Sequence, residues 1–177
     1  MFKHRWQVRG VVLTMAAAWA LALLLPPADA QVSTSDLVGF GRKIAGVYVV
    51  SRPPEAGPSR LLTLSADGVL SSIQSTQFSG GTGGVGFSNQ QGVWRRTGKE
   101  TVEATVLNID YDNATRAFTG MAVATYQLTF LEERQRVQGT VTGKIYPVGV
   151  DPLNPGSVDP IAEFTDTFEA QRVSSVP

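Results

Sequence analysis

The chain has 177 residues, with 15 Lys and Arg against 15 Asp and Glu, one histidine and no cysteine. This even charge gives no electrostatic reason to bind nucleic acid or an anionic membrane. The histidine, His4, lies in a predicted signal peptide, so the cleaved chain would contain neither imidazole nor thiol. These absences exclude most of the common nucleophilic, metal-hydrolytic and redox mechanisms.

Residues 1–30 have the three parts of a secretory signal peptide. Lys3, Arg5 and Arg9 give a positive start, Val11–Leu25 is apolar, and Ala28–Ala30 has the small-x-small pattern of a cleavage site. The apolar run is short for a membrane-spanning helix, which needs about 20 residues. We therefore predict export to the periplasm or the exterior, with no stable membrane anchor after cleavage. Removing residues 1–30 from the 177 leaves 147 residues, with 12 basic and 14 acidic side chains.

The N-terminal extension, residues 31–45, contains the one segment that is predicted to be helical, Gln31–Lys43. Ser33, Ser35 or Asp36 could cap it. Glycines within the segment weaken the helix.

Residues 46–173 are predicted to form a β-domain, followed by a disordered tail at 174–177. In this domain, β-branched and aromatic residues cluster in short runs that are separated by turn residues. The eight predicted strands are Val47–Ser51, Arg60–Ser65, Val69–Gln77, Gln91–Thr97, Thr101–Tyr111, Ala117–Leu131, Arg136–Tyr146 and Ile161–Val173. Asp67-Gly68 between the second and third strands is a strong hairpin signal.

Long neighbouring strands joined by tight turns indicate a meander, and eight strands can close into a barrel. Gly120, Gly139 and Gly143 fit the sharp bending that closure requires. The prediction is an all-β fold, an antiparallel eight-stranded up-and-down barrel, with two packed sheets as the alternative. An outer-membrane barrel would have a continuous apolar outer face with aromatic girdles. Here the polar faces carry Thr, Gln, Glu and Arg, which favours a soluble barrel.

Six aromatic side chains are predicted to line the barrel interior and bind a ligand: Tyr48, Trp94, Phe118, Tyr126, Phe164 and Phe168. Asp166 alternates with Phe164 and Phe168, so it should share their face. A carboxylate pointing inward would have a raised pKa unless something pairs with it, and this makes Asp166 the candidate catalytic residue. The alternative is that Asp166 sits at the rim or is turned outward by a bulge. Glu103 and Glu163 are predicted to face solvent.

Two loop segments contain residue types that occur in ion or phosphate sites. Asp110–Asn113 places several oxygen ligands at a turn, but the full calcium-loop pattern is missing and local hydrogen bonding explains these residue types. Ser79–Gly86 is rich in glycine but lacks the Gly-Lys-Ser/Thr of a phosphate loop, and no helix follows it. We predict no metal and no cofactor, and we interpret Ser79–Gly86 as a flexible loop that could cover one barrel end.

The eight-strand meander resembles the calycin-type barrels, which include the lipocalins and the allene oxide cyclase-like barrel proteins. Lipocalins carry Gly-x-Trp on the first strand, where this chain has Gly46-Val47-Tyr48; its Gly92-Val93-Trp94 lies on the fourth. The segment Tyr111–Gly120, a Tyr-Asp turn followed by a glycine-containing strand, is more similar to the allene oxide cyclase-like group, including its secreted bacterial members. The resemblance implies ligand binding or cyclase chemistry inside the barrel.

Three functions follow from these predictions. The leading hypothesis is an exported barrel that binds an apolar or amphipathic small molecule. The second is a barrel-type cyclase or isomerase that uses a buried carboxylate or tyrosine. The third is an interaction module of the cell envelope whose barrel is filled by side chains.

Overall fold

A computed structural model describes residues 34–78 and 85–174. The predicted signal peptide, most of the glycine-rich loop and residues 175–177 of the predicted tail lie outside the described residues. The helix α1 spans Thr34–Ile44. The strands are β1 Gly46–Val50, β2 Arg60–Leu64, β3 Val69–Gln74, β4 Val85–Phe87, β5 Gln90–Arg96, β6 Thr101–Asp112, β7 Phe118–Leu131, β8 Arg136–Pro147 and β9 Ala162–Arg172.

The strands form a closed eight-stranded antiparallel barrel, as predicted. Neighbouring strands pair in the order β1, β2, β3, β5, β6, β7, β8 and β9, and β9 pairs with β1 to close the barrel. The short strand β4 pairs with the end of β6 that lies beyond β5, so it continues β5 after an interruption at Ser88 and Asn89. Because the ring is closed, the alternative of two packed sheets is wrong.

Helix α1 covers one end of the barrel. Its Phe40 ring meets the rings of Trp94 and Phe130 edge-on, each with a centroid distance of 6.3 Å. Ile44 at the end of the helix is fully buried, and its carbonyl accepts a 2.8 Å hydrogen bond from the Tyr48 hydroxyl. Burial of this apolar face stabilises the helix despite its glycines, because tertiary packing supplies most of the stability of a short helix.

Gly41 allows α1 to lie against the turn between β2 and β3. A Cβ atom at this position would be only 2.3 Å from the carbonyl oxygen of Ala66, whereas a Cβ at Gly39 would meet nothing within 4 Å. The first glycine is therefore required by close packing, and the second is not.

Two of the predicted bending glycines provide space for aromatic rings of the adjacent strand. Gly139 and Gly143 on β8 pair with Phe168 and Phe164 on β9. A Cβ atom would lie 2.2 Å from the Phe168 ring at Gly139 and 2.1 Å from the Phe164 ring at Gly143. Such coverage of a strand glycine by a neighbouring aromatic ring is a known way to fix strand register.

A β-bulge in β7 corrects one predicted orientation. Asp110 pairs with Gly120, but the next residue, Tyr111, pairs with Phe118, so one β7 residue is skipped. Because each shift of one residue reverses the face, Phe118 lies on the outside. Its side chain is 46% exposed, and the prediction that it lines the interior was wrong.

Candidate functional site

A cavity of about 330 Å³ lies inside the barrel at the end opposite α1. Its lining combines apolar and polar side chains from strands and loops. The apolar members include Val85, Phe87, Ala122, Val141, Ile145, Ala162 and Phe164, and the polar members include Arg60, Gln74, Gln90, Asn108, Asp110, Glu163 and Asp166. The buried core at the helix-covered end shares only Val141 and Phe164 with this lining, within the described residues.

The inward face of several strands changes from apolar to polar towards the cavity. On β6 the buried positions Val102, Ala104 and Val106 are followed by Asn108 and Asp110. The inward positions of β2 and β3 change in the same way, ending at Arg60 and Gln74. Period-two alternation on several strands therefore brings polar residues that are distant in sequence to one end of the barrel.

The polar residues form a chain of hydrogen bonds that runs in one direction. Gln74 Nε2 donates to Gln90 Oε1 over 3.0 Å, and the Tyr126 hydroxyl donates to the same oxygen over 2.5 Å. Gln90 Nε2 donates to Asn108 Oδ1 over 3.3 Å, and Asn108 Nδ2 donates to Asp110 Oδ1 over 2.6 Å. The chain of donors therefore ends at the carboxyl group of Asp110.

Asp110 is only 3% exposed, and its second oxygen, Oδ2, has no hydrogen-bond partner among the described residues. Burial raises the pKa of Asp110 to about 6, and the hydrogen bond from Asn108 opposes this shift. No ion pair within residues 34–78 and 85–174 includes Asp110. The cavity wall thus contains a buried carboxyl group without a balancing charge.

A second carboxyl group at the cavity, Asp166, is paired. Arg52 Nη2 lies 2.5 Å from Asp166 Oδ2, and Arg60 Nη2 donates to the same oxygen. Arg52 also donates to the carbonyls of Pro58 and Thr167, at 3.1 and 2.9 Å. Asp166 therefore lies on the inward face, as its alternation with Phe164 and Phe168 predicts. Arg52 and Arg60 supply the positive charge that pairs with its carboxylate.

The predicted aromatic residues are divided between core and cavity. Phe164 lines the cavity, whereas Tyr48, Trp94, Tyr126 and Phe168 belong to the packed core. These four side chains lie inside the barrel as predicted, but they pack in the core together with Phe40 of α1 and do not line the cavity. The predicted solvent-facing carboxylates do face outward or lie at the rim. Glu103 pairs with Arg95 over 2.7 Å, and the Glu163 side chain is 61% exposed.

The sequence analysis missed Arg60, Gln74, Gln90 and Asn108, and it interpreted Asp110 only as a turn residue. One signal could have found part of this set. The alternation that places Val102 and Val106 inward continues to Asn108 and Asp110. The described residues contain no group of three or more His, Cys, Asp or Glu side chains that could hold a metal ion.

The fold and the site define a small closed β-barrel with a cavity at one end, an architecture consistent with calycin-like barrels. No protein-family model, no curated protein and no solved structure matches the chain. No helix in the described part of the chain is long and apolar enough to cross a membrane.

Proposed function

We propose that the protein binds an amphipathic small molecule in the cavity at the open end of the barrel. The cavity itself is the observation that carries this proposal. Its volume of about 330 Å³ lies within the range of small-molecule sites, about 300–1,000 Å³. Apolar side chains with a few polar groups that orient the ligand are also typical of such sites. The same space does not support the alternative of a barrel filled by side chains.

Filling the cavity tests this proposal. Ala122→Phe would place a ring in the cavity, and Val123→Phe, at the next position of β7, would place the same ring on the outside. We expect the neutral dye Nile red to bind the wild type and Val123→Phe with similar affinity, and Ala122→Phe at least about tenfold more weakly. Equal binding to all three folded proteins would show that the dye does not occupy the cavity and would contradict the proposal.

The cyclase or isomerase remains the second candidate, and Asp110 rather than Asp166 now supports it. A cavity carboxyl group with a pKa of about 6 can both accept and donate a proton near neutral pH. Catalysis predicts that a bound compound is converted over time by the wild type and not by Asp110→Asn. Proton NMR of the compound, incubated with each protein, would separate conversion from binding alone.

We further propose that the chain is exported and that its barrel resembles those of the allene oxide cyclase-like group. The tripartite pattern of residues 1–30 supports export. The mass of the protein recovered outside the cytoplasm would test it, because cleavage after Ala30 gives a chain that begins at Gln31.

A further inference from the structure

Asp110 lines the cavity, and one oxygen of its buried carboxyl group has no hydrogen-bond donor among the described residues. Its Oδ1 accepts the hydrogen bond that ends the chain from Gln74 and Gln90, whereas its Oδ2 is buried and has no partner among the described residues. A buried acceptor without a donor costs about 1–3 kcal/mol, and more when it is charged. A ligand that supplies this donor would therefore bind with a specific gain in affinity.

The charge at the cavity indicates which kind of donor fits. Arg60 is the one positively charged residue among the described residues that line the cavity, and it is bound to Asp166, as is Arg52. Burial raises the pKa of Asp110 to about 6, and the hydrogen bond from Asn108 opposes this shift. Asp110 forms no ion pair within the described residues. Opposite charge is the strongest complement for a buried carboxylate.

We propose that the ligand of this cavity carries an ammonium group on an apolar frame, and that this group donates a hydrogen bond to Oδ2 of Asp110. The inference rests on the proposed function, because it names the chemical class of the ligand. The apolar frame would contact Ala122, Val141 and Phe164 on the cavity wall. A single carboxylate suits an ammonium group better than a divalent metal ion, which takes several oxygen ligands.

The main competing ligand is an anion. Arg60 Nε and Nη1 are buried and have no hydrogen-bond partner within the described residues, so they could donate to a carboxylate. However, the Arg60 guanidinium also stacks over the Phe168 ring at 4.7 Å and is already paired with Asp166. An anion on Arg60 would come close to the Asp166 carboxylate, which would repel it. The structure therefore favours the cation.

Calorimetric titration with octylamine, octanol and octanoate tests the proposal, since these compounds share a chain and differ in the charge of the polar end. At pH 8 we expect octylamine to bind the wild type about tenfold more tightly than octanol, and octanoate to bind more weakly still. Asp110→Asn should bind octylamine and octanol about equally. Asp112→Asn, the same change on the same strand outside the cavity lining, should keep the wild-type preference.

A measurement without any variant guards against a folding defect in Asp110→Asn. Below pH 6 the wild type should lose its preference for octylamine, because Asp110 becomes protonated while the amine stays charged. Arg60, Asp166 and Glu163 are the other charged groups that line the cavity, and the octanol titration reports any general effect that they have.

The results separate the two levels of the proposal. If octanol binds the wild type as tightly as octylamine, or octanoate binds most tightly, the ammonium inference is overturned and the binding function stands. If none of the three compounds binds and Nile red also fails to bind, both are overturned. Tighter binding of octylamine that is lost in Asp110→Asn but kept in Asp112→Asn supports both.

Discussion

Arg60 and Asp166 form an ion pair inside the barrel although their strands, β2 and β9, are not neighbours. Strand β1 lies between them, so both side chains reach past β1 on the interior side. Arg52, which follows β1, donates a hydrogen bond to the same carboxylate oxygen of Asp166. The Arg60 side chain is 1% exposed, whereas the Asp166 side chain is 23% exposed. Arg52, Arg60 and Asp166 together thus connect β1, β2 and β9 at the cavity.

Asp166→Ala should destabilise the fold by about 3 kcal/mol, because it leaves the buried Arg60 guanidinium without its partner. Urea unfolding at pH 7 would measure the free energy of unfolding. Glu163→Ala on the same strand is the control, since its 3.4 Å pair with Lys144 is exposed and should contribute less than about 1 kcal/mol. Equal losses for the two variants would contradict the structural role of the Asp166 pair.

Gly41→Ala should destabilise the fold by about 1–3 kcal/mol, because the added methyl group would collide with the Ala66 carbonyl and push α1 off the barrel end. Gly39→Ala in the same helix meets no atom within 4 Å and should stabilise the fold by up to about 1 kcal/mol. Thermal unfolding of both variants gives the comparison. A gain in stability for both would mean that the helix does not dock as described.

Asp110→Asn should stabilise the protein at pH 8 by about 2–3 kcal/mol. The pKa of Asp110 is raised from 3.8 to about 6 on folding, so between these values the folded state holds more protons than the unfolded chain. The stability that depends on Asp110 therefore falls as the pH rises through this window, and the asparagine variant avoids this loss.

The difference between the wild type and Asp110→Asn should shrink as the pH is lowered, and vanish below about pH 4. Asp112→Asn should behave in the opposite way. Hydrogen bonds from Thr115 lower the pKa of Asp112, so the stability from Asp112 is present above its unfolded pKa and is lost as the pH falls. Urea unfolding between pH 4 and pH 8 would check both signs. If the difference in free energy of unfolding between the wild type and Asp110→Asn did not change with pH, the raised pKa of Asp110 would be contradicted.

Gly143→Ala should change both ligand binding in the cavity and the stability of the fold. The added methyl group would lie 2.1 Å from the Phe164 ring, so the ring has to move, and Phe164 lines the cavity. We expect weaker binding of Nile red, by about threefold or more, with a loss of stability of about 1–3 kcal/mol. Thr142→Ala, at the adjacent outward position, should change neither quantity by much. Unchanged dye binding in Gly143→Ala would place the dye away from Phe164.

The sequence was sufficient to predict the barrel because its strands alternate and its turns have strong signals. All eight predicted runs form barrel strands. The additional strand, β4, starts within the glycine-rich segment Ser79–Gly86, where apolar and polar residues do not alternate. The bulge opposite Asp110 and Tyr111 could not be predicted, since it depends on pairing between β6 and β7. Without that bulge, simple alternation along β7 predicts that Phe118 faces the interior, whereas its side chain lies on the outside.

The site was harder to predict than the fold, because its position depends on which end of the barrel is filled. The aromatic pattern predicts that Trp94 lines the ligand site, but Phe40 of α1 packs against its ring and makes it part of the core. The pairing of Asp166 with Arg52 and Arg60 also depends on closure of the sheet between β1 and β9, which brings residues more than 100 positions apart together. Alternation alone gives the face of a residue but not its depth along the barrel axis.

The separation of a packed end from a hollow end has a consequence for how this protein can change over time. Because the core and the cavity lining share so few of the described residues, most substitutions in the lining should alter ligand preference without disturbing the packed core, since distant sites contribute almost additively. Asp110 and Asp166 are the exceptions, because each also affects the free energy of unfolding. Such a barrel can acquire new ligands while its fold is conserved. The same property makes it a scaffold into which a chosen binding specificity could be designed.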